Sequence, residues 1–213
     1  MKAIPRFHVI TDEQLQRRWT HVQIARFAIE GGAHAIQYRE KRQLGQFEVL
    51  ETATLVAAEC RKADIPLIVN DHAEVAGAVG AAGVHLGRED TSPRVAHNRR
   101  PELVIGSTVN SLEEAQAMSD MPTDYLGAGP VYGTQSKARP APALGLHDLA
   151  QICRRSNAPV IAIGGIQPEH VPDVIQAGAW GFAVLGGVAC ASDPASATRA
   201  YSDALREALA RGR

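Results

Sequence analysis

The 213-residue sequence predicts an α/β protein built as a single-domain (β/α)8 TIM barrel. Three observations carry that prediction. Short β-branched apolar runs recur eight times, each followed by a polar turn and a longer amphipathic stretch, the alternation expected of parallel βα units. No GxGxxG follows the first run, which argues against an open dinucleotide-binding sheet. Eight such units in one chain of this length sit near the short end of barrel sizes, so one domain is expected to span 1–213.

The runs, in order, are "RFHVIT" (6–11), "HAIQY" (34–38), "PLIVN" (66–70), "GVHL" (83–86), "LVIGST" (103–108), "DYLGAG" (124–129), "PVIAIGG" (159–165) and "WGFAVLGG" (180–187). Helix formers fill 44–63, 111–119 and 193–211, with acids early and bases late as the helix dipole favours. The segments "GGAHAIQ", "AAGVHLG" and "QAGAWGFAV" share a small-residue turn into an apolar strand, as repeated αβ connections would. One stretch is irregular: 130–145, "PVYGTQSKARPAPALG", predicted to be an active-site loop.

Composition narrows the function. With 22 basic and 23 acidic residues there is no broad positive surface for nucleic acid or anionic membrane, so any phosphate chemistry must be local. Cys60, Cys153 and Cys190 lie far apart with no CxxC pair, which fits reduced thiols and a cytoplasmic location. The start of the sequence has no signal-type apolar core, and no run approaches the roughly 18 apolar residues of a membrane span.

In such barrels chemistry gathers at the C-terminal ends of the strands, and polar residues accumulate there: Thr11-Asp12, Gln37, Arg39 and Lys41, Asn70-Asp71, Glu89-Asp90, Ser107-Thr108 with Asn110, then Thr134, Ser136 and Lys137. Gly164-Gly165 and Gly186-Gly187 follow the seventh and eighth runs, where backbone N–H groups commonly receive a phosphate. Asp71 and Asp90 either share one Mg²⁺, which takes few protein carboxylates alongside substrate oxygens, or cap the helices that follow them. Arg39, Lys41 and Lys137 would balance a diphosphate; the alternative for Lys41 and Arg42 is plain surface charge. Arg39 lies two positions after Gln37 and so on the same strand face. His8 and His85 fall on strands, while His21, His97, His147 and His170 are expected on exposed helices or loops, and none has zinc spacing.

The ordered motifs "HVITD", "IQYREK", "LIVNDHAEVAGAVGAAGVHLGRED", "GSTVNSLEEA", "DYLGAGPVYGTQSK" and "PVIAIGGIQPEHVPDVIQAGAWGFAVLGG" resemble the family of thiamine phosphate synthases and their relatives the thiazole tautomerases. The resemblance implies a transferase that joins hydroxymethylpyrimidine diphosphate to a thiazole phosphate, with Mg²⁺ assisting departure of diphosphate and a pyrimidine methylene cation as the electrophile. Carried over by position, Gln37, Arg39 and Lys41 match pyrimidine and diphosphate contacts, Asn70 a diphosphate contact, and Asp71 and Asp90 the metal ligands. Thr108 matches a hydroxyl near the diphosphate; Thr134 and Ser136 match hydroxyls for the thiazole phosphate, Lys137 a diphosphate cation, and Gly165 the phosphate turn after the seventh run, with Gly186 expected to bind phosphate after the eighth. The catalytic expectation falls on Arg39, Lys137 and Thr108. The implied partners are the two small-molecule substrates, with no nucleic acid or membrane, and a homodimer is compatible with the reading.

Two positions depart from the family pattern. Asn110 stands where a tautomerase carries an acid/base histidine, and an amide does not exchange a proton usefully near neutral pH. Gly186 stands where the synthases commonly carry serine. A tautomerase-like isomerase and a catalytically idle phosphate-binding homologue are the alternatives.

Overall fold

The computed structural model describes residues 2–134 and 141–211. Among these residues the chain runs β1 (Phe7–Thr11), α1 (His21–Glu30), β2 (Ala35–Tyr38), α2 (Gln46–Lys62), β3 (Leu67–Asn70), α3 (Ala73–Ala78), β4 (Gly83–Leu86), α4 (Pro93–Arg99) and β5 (Val104–Val109). It continues α5 (Leu112–Ala117), β6 (Tyr125–Ala128), α6 (Gly145–Arg155), β7 (Val160–Ile163), α7 (Val171–Gln176), β8 (Gly181–Val184), α8 (Gly186–Ala189) and α9 (Pro194–Arg211). The strands pair in parallel in sequence order and close when β1 meets β8, with His8 opposite Ala183 and Ala35. This is the predicted barrel.

Alternation separates two cores. Outward-facing Phe7, Val9, Ile36, Tyr38, Val69, Val84, Ile105, Leu126 and Phe182 pack against the helices in one large cluster. Inward-facing Ile10, Ile68, Tyr125, Ile161 and Ala183 fill the barrel itself, with Val104, Ile163 and Leu185 beside them. The interior also takes two aromatic groups side by side, and glycine makes the room: a Cβ at Gly106 would stand 2.1 Å from the Tyr125 ring, and one at Gly127 2.7 Å from His85. Neither strand accepts alanine there without displacing an interior ring.

Helix starts follow local chemistry. Thr20 accepts from the Gln23 N–H while the Gln23 side chain accepts from the Thr20 N–H, a reciprocal cap that starts α1. Ser92 and Ser111 cap α4 and α5.

The ends of β7 and β8 differ from expectation. The apolar runs suggested strands reaching both glycine pairs, but β7 stops at Ile163 because Gly164 and Gly165 have φ of 97° and 65°, a left-handed backbone that ends extended pairing. After β8, Gly186 and Gly187 already form the first turn of α8. Among the described residues no helix is long and apolar enough to cross a membrane.

Candidate active site

The strand ends bring Asp12, Arg39, Lys41, Asn70, Asp71, Asp90, Thr108 and Asn110 to one mouth of the barrel. Asp12 leaves β1 buried, with 1% of its surface exposed, and forms an ion pair with the Arg39 guanidinium. Gln37 faces the barrel interior from β2, and Arg39 continues the same side; burial lowers the Arg39 pKa, opposed by the charges of Asp71 and Glu40.

The two acids expected to hold a metal are neighbours. Asp71 takes φ of 69°, a left-handed conformation that Asp tolerates better than most residues, while its N–H donates to the His85 carbonyl at 2.8 Å. Asn70 donates its amide to Asp71 Oδ1, and Lys41 Nζ reaches Asp71 Oδ2 at 2.5 Å. Burial raises the Asp71 pKa first, and the Asp90 carboxyl within hydrogen-bonding reach raises it further, against the pull of Lys41. Asp90 Oδ2 accepts from the Gly87 N–H at 2.7 Å.

The capping alternative for both acids fails on geometry. The residue capping α3 is His72, with no side-chain bond, and α4 is capped by Ser92. Two adjacent carboxylates are a donor set suited to one hard divalent cation, which needs few protein ligands when substrate oxygens complete its shell. Three carboxylates (Asp12, Asp71, Asp90) face two cations (Arg39, Lys41) among the described residues of this rim, so an incoming polyanion meets net negative charge unless a cation accompanies it.

Thr108 on β5 has its hydroxyl 3.0 Å from His85 Nε2, and His85 Nδ1 lies 3.0 Å from the Tyr125 hydroxyl. This row, half-buried at Thr108 and His85 and buried at Tyr125, supports Thr108 from inside the barrel. Asn110 donates its side-chain amide to the Gly129 carbonyl, and its own N–H donates to Glu114 at 2.7 Å. It anchors the start of the loop after β6 and holds no titratable group at the mouth.

That loop lies along β7. Val131 N–H donates to the Ile163 carbonyl at 2.8 Å and Tyr132 N–H to that of Gly164 at 3.0 Å, while Leu144 and Gly145 bond back to Pro130 and Val131. Thr134 is half-buried. Ser136 and Lys137 lie outside the described residues. Gly165 is exposed, and a Cβ there would stand 2.7 Å from the Gly133 carbonyl oxygen, so the turn needs glycine for space as well as conformation. At Gly187 a Cβ would meet the Tyr201 hydroxyl at 2.2 Å, whereas at Gly186 it would meet only Leu15 at 3.8 Å.

Two expectations are corrected. His21 is fully buried, because its ring is gripped from both sides: Nδ1 lies 2.7 Å from the Thr11 hydroxyl and Nε2 3.2 Å from Glu40. A carboxylate only accepts, so Nε2 donates to Glu40 and Nδ1 accepts from Thr11. Arg42 is not plain surface charge: it donates to Glu40 at 2.5 Å and to Glu13 at 2.6 Å. Glu40 therefore turns away from the mouth and ties β2 to α1. Burial works to raise its pKa, but the Arg42 hydrogen bonds outweigh that, helped by the neighbouring His21 ring and the Arg42 charge, and hold it low.

Sequence reasoning assigned no role to Asp12, His85 or Glu40. An acid ending a buried strand was the available signal for Asp12 and alternation past β2 the signal for the facing of Glu40; His85 was marked only by its place on a strand.

The profile of a family described as thiamine monophosphate synthase matches residues 7–188. The chain is 42% identical over 205 residues to a thiamine-phosphate synthase of Salinibacter ruber, spanning 96% of this chain and 90% of that protein. A thiamine-phosphate synthase of Methanospirillum hungatei is 40% identical over 199 residues, 93% of this chain and 96% of its own. Among solved structures, a thiamine phosphate pyrophosphorylase from Pyrococcus furiosus matches with TM-score 0.87 and 37% identity over 96% of both chains. A geranylgeranylglyceryl phosphate synthase of Thermoplasma acidophilum, at TM-score 0.70 and 14% identity over 95% of this chain and 94% of its own, shares the fold alone.

Proposed function

The chain belongs to the thiamine monophosphate synthase family, and from that premise we infer that it is a thiamine-phosphate synthase, a transferase of thiamine biosynthesis that condenses hydroxymethylpyrimidine diphosphate with thiazole phosphate and releases diphosphate. The observation that carries the reading in this chain is the Asp71–Asp90 carboxyl pair with Arg39 and Lys41 beside it.

In this reading the bond between the pyrimidine methylene and the diphosphate oxygen breaks, and the thiazole nitrogen forms the new bond to the methylene. Arg39 and Lys41 bind and orient the diphosphate, offering N–H donors where negative charge grows as it leaves. Gln37, facing inward from β2 below them, reads the pyrimidine, and Asn70 and Thr108 donate to diphosphate oxygens. Asp71 and Asp90 would hold Mg²⁺, which neutralises the leaving group's charge. Lys41 exchanges Asp71 for the diphosphate. Gly165 and Gly186, with Thr134 and Ser136, receive the thiazole phosphate, and Lys137 adds a further cation to the diphosphate.

The relatives named for the synthase reaction support this branch over the isomerase, and the Asn110 amide, engaged with the Gly129 carbonyl, offers no proton-transfer group. The substrates are small molecules, and a reducing, cytoplasmic setting suits the three free cysteines Cys60, Cys153 and Cys190. The test is direct: incubate the protein with both substrates, with and without Mg²⁺, and follow thiamine phosphate by mass. Product that depends on added metal is expected; none with fresh enzyme sinks the reading.

A further inference from the structure

Asp12 carries more bonds than a strand-end acid needs for folding. It is buried, and its two carboxylate oxygens serve different parts of the molecule. Oδ2 holds Arg39, across the β1–β2 boundary. Oδ1 accepts the backbone N–H groups of Gln14 and Leu15, both at 2.8 Å, and so shapes the loop that leads from β1 to α1.

The loop leads to the other half of the site. Leu15 is the side chain that a Cβ at Gly186 would touch, at 3.8 Å. Further along, Gln16 Oε1 accepts the Arg18 and Trp19 N–H groups at 2.9 and 2.8 Å, and Trp19 Nε1 donates to the Ala191 carbonyl at 3.4 Å, just beyond α8. One carboxylate thus connects the guanidinium expected at the diphosphate with the loop that covers the phosphate turn at Gly186.

We propose that Asp12 is a positioning residue with two arms: through Oδ2 it sets the direction of Arg39 toward the diphosphate, and through Oδ1 it sets the height of the Leu15 loop over the thiazole phosphate. This rests on the synthase reading for the identity of the ligands. With both oxygens engaged, Asp12 acts through Arg39 and the loop. The guanidinium carries five N–H donors in a rigid fork, so fixing one edge on Asp12 presents the remaining donors to the ligand in a single orientation. Charge balance agrees. Paired to Asp12, Arg39 contributes direction more than net charge, and the excess positive charge that the diphosphate requires comes from elsewhere.

The arms separate by substitution. In Asp12→Asn the amide oxygen still accepts the loop N–H groups while its NH₂ faces Arg39; Asp12→Ala removes both acceptors. Binding of inorganic pyrophosphate with Mg²⁺, measured by calorimetry, is expected to weaken about tenfold in Asp12→Asn, the scale of a misdirected contact. No further loss is expected when Asp12→Asn is added to Arg39→Gln. The KM for thiazole phosphate is expected to stay near wild type in Asp12→Asn and to rise in Asp12→Ala. Equal weakening by Asp12→Asn in both Arg39 backgrounds, or no weakening in either, overturns the first arm; identical changes of both KM values in Asn and Ala variants overturn the second. Should Asp12→Ala not fold, Leu15→Ala replaces it and must raise the thiazole phosphate KM alone. Wild-type protein that binds pyrophosphate yet makes no thiamine phosphate would remove the synthase reading and leave the Arg39 cycle standing; wild-type protein that binds no pyrophosphate overturns both.

Discussion

Lys41 Nζ stands 2.5 Å from Asp71 Oδ2, so a cation of the mouth and one of its two adjacent carboxylates are an ion pair. That pair must open for Asp71 to take a metal and for Lys41 to take a diphosphate. The two events are then coupled, and each ligand helps the other bind.

The coupling sets the first prediction. Asp71→Ala and Asp90→Ala should cut turnover far more at limiting than at saturating Mg²⁺, and Lys41→Ala should lower the Mg²⁺ concentration for half-maximal rate because Asp71 no longer has a competing partner. Turnover against metal concentration checks both. Equal losses at every Mg²⁺ concentration would point to a structural role for the acids.

Gly186 and Gly187 should respond in opposite ways. A Cβ at Gly186 meets only Leu15, at 3.8 Å, so Gly186→Ser should fold as wild type and lower the KM for thiazole phosphate by supplying a hydroxyl. In Gly187→Ala the new methyl would fall 2.2 Å from the Tyr201 hydroxyl, which donates to the Ile166 carbonyl at 2.9 Å, so stability should drop by about 1–3 kcal/mol. Urea denaturation of both variants beside steady-state kinetics separates the effects.

Glu40 should prove a stability residue inside a binding motif. Its side chain is 1% exposed and takes donors from Arg42 and His21; Glu40→Ala leaves the buried His21 Nε2 without its acceptor while Arg42 keeps Glu13, and should cost about 1–3 kcal/mol. Because Arg39 and Lys41 flank it, the KM for the pyrimidine diphosphate should rise as well. An unchanged urea midpoint would refute this.

Acid should destabilise the barrel through His8. Burial pushes its pKa down to about 4, with the Pro5 carbonyl opposing and His34 reinforcing the shift. His8 Nε2 donates to that carbonyl at 2.9 Å, and Nδ1 has no partner among the described residues. A depressed pKa means the unfolded chain binds the proton first: stability is full above about pH 6.5 and falls as pH drops toward 4, by about 3 kcal/mol. His8→Gln should reduce the slope of unfolding free energy in that window by roughly one proton, read from urea titrations at several pH values. An unaltered slope would assign the acid sensitivity elsewhere.

The barrel was legible because its signal is local. Each strand needs only a short apolar run with inward and outward alternation, and "HAIQY" or "PLIVN" states that pattern without reference to the rest of the chain. The same alternation aims Gln37, Arg39 and Lys41 at the mouth and turns Tyr38 and Glu40 toward the helices or solvent; the structure packs Tyr38 in the outer core and pairs Glu40 with Arg42. The strand ends at Gly164 and Gly186 were less legible, since an apolar run with glycine reads the same whether its backbone stays extended or turns left-handed.

By itself, then, the sequence determined the eight-unit barrel, the strand-end residues that line its mouth and, through ordered motifs, the family. Only the tertiary structure decided which neighbours those residues take: Asp71 with Asp90 and Lys41 instead of a helix N-terminus, Arg39 with Asp12, Thr108 with His85, and His21 buried against Glu40. The reason is distance along the chain. A strand's facing is set by its own pleat, but a charge's partner comes from a different βα unit, and parallel pairing of neighbouring strands brings those units within hydrogen-bonding reach.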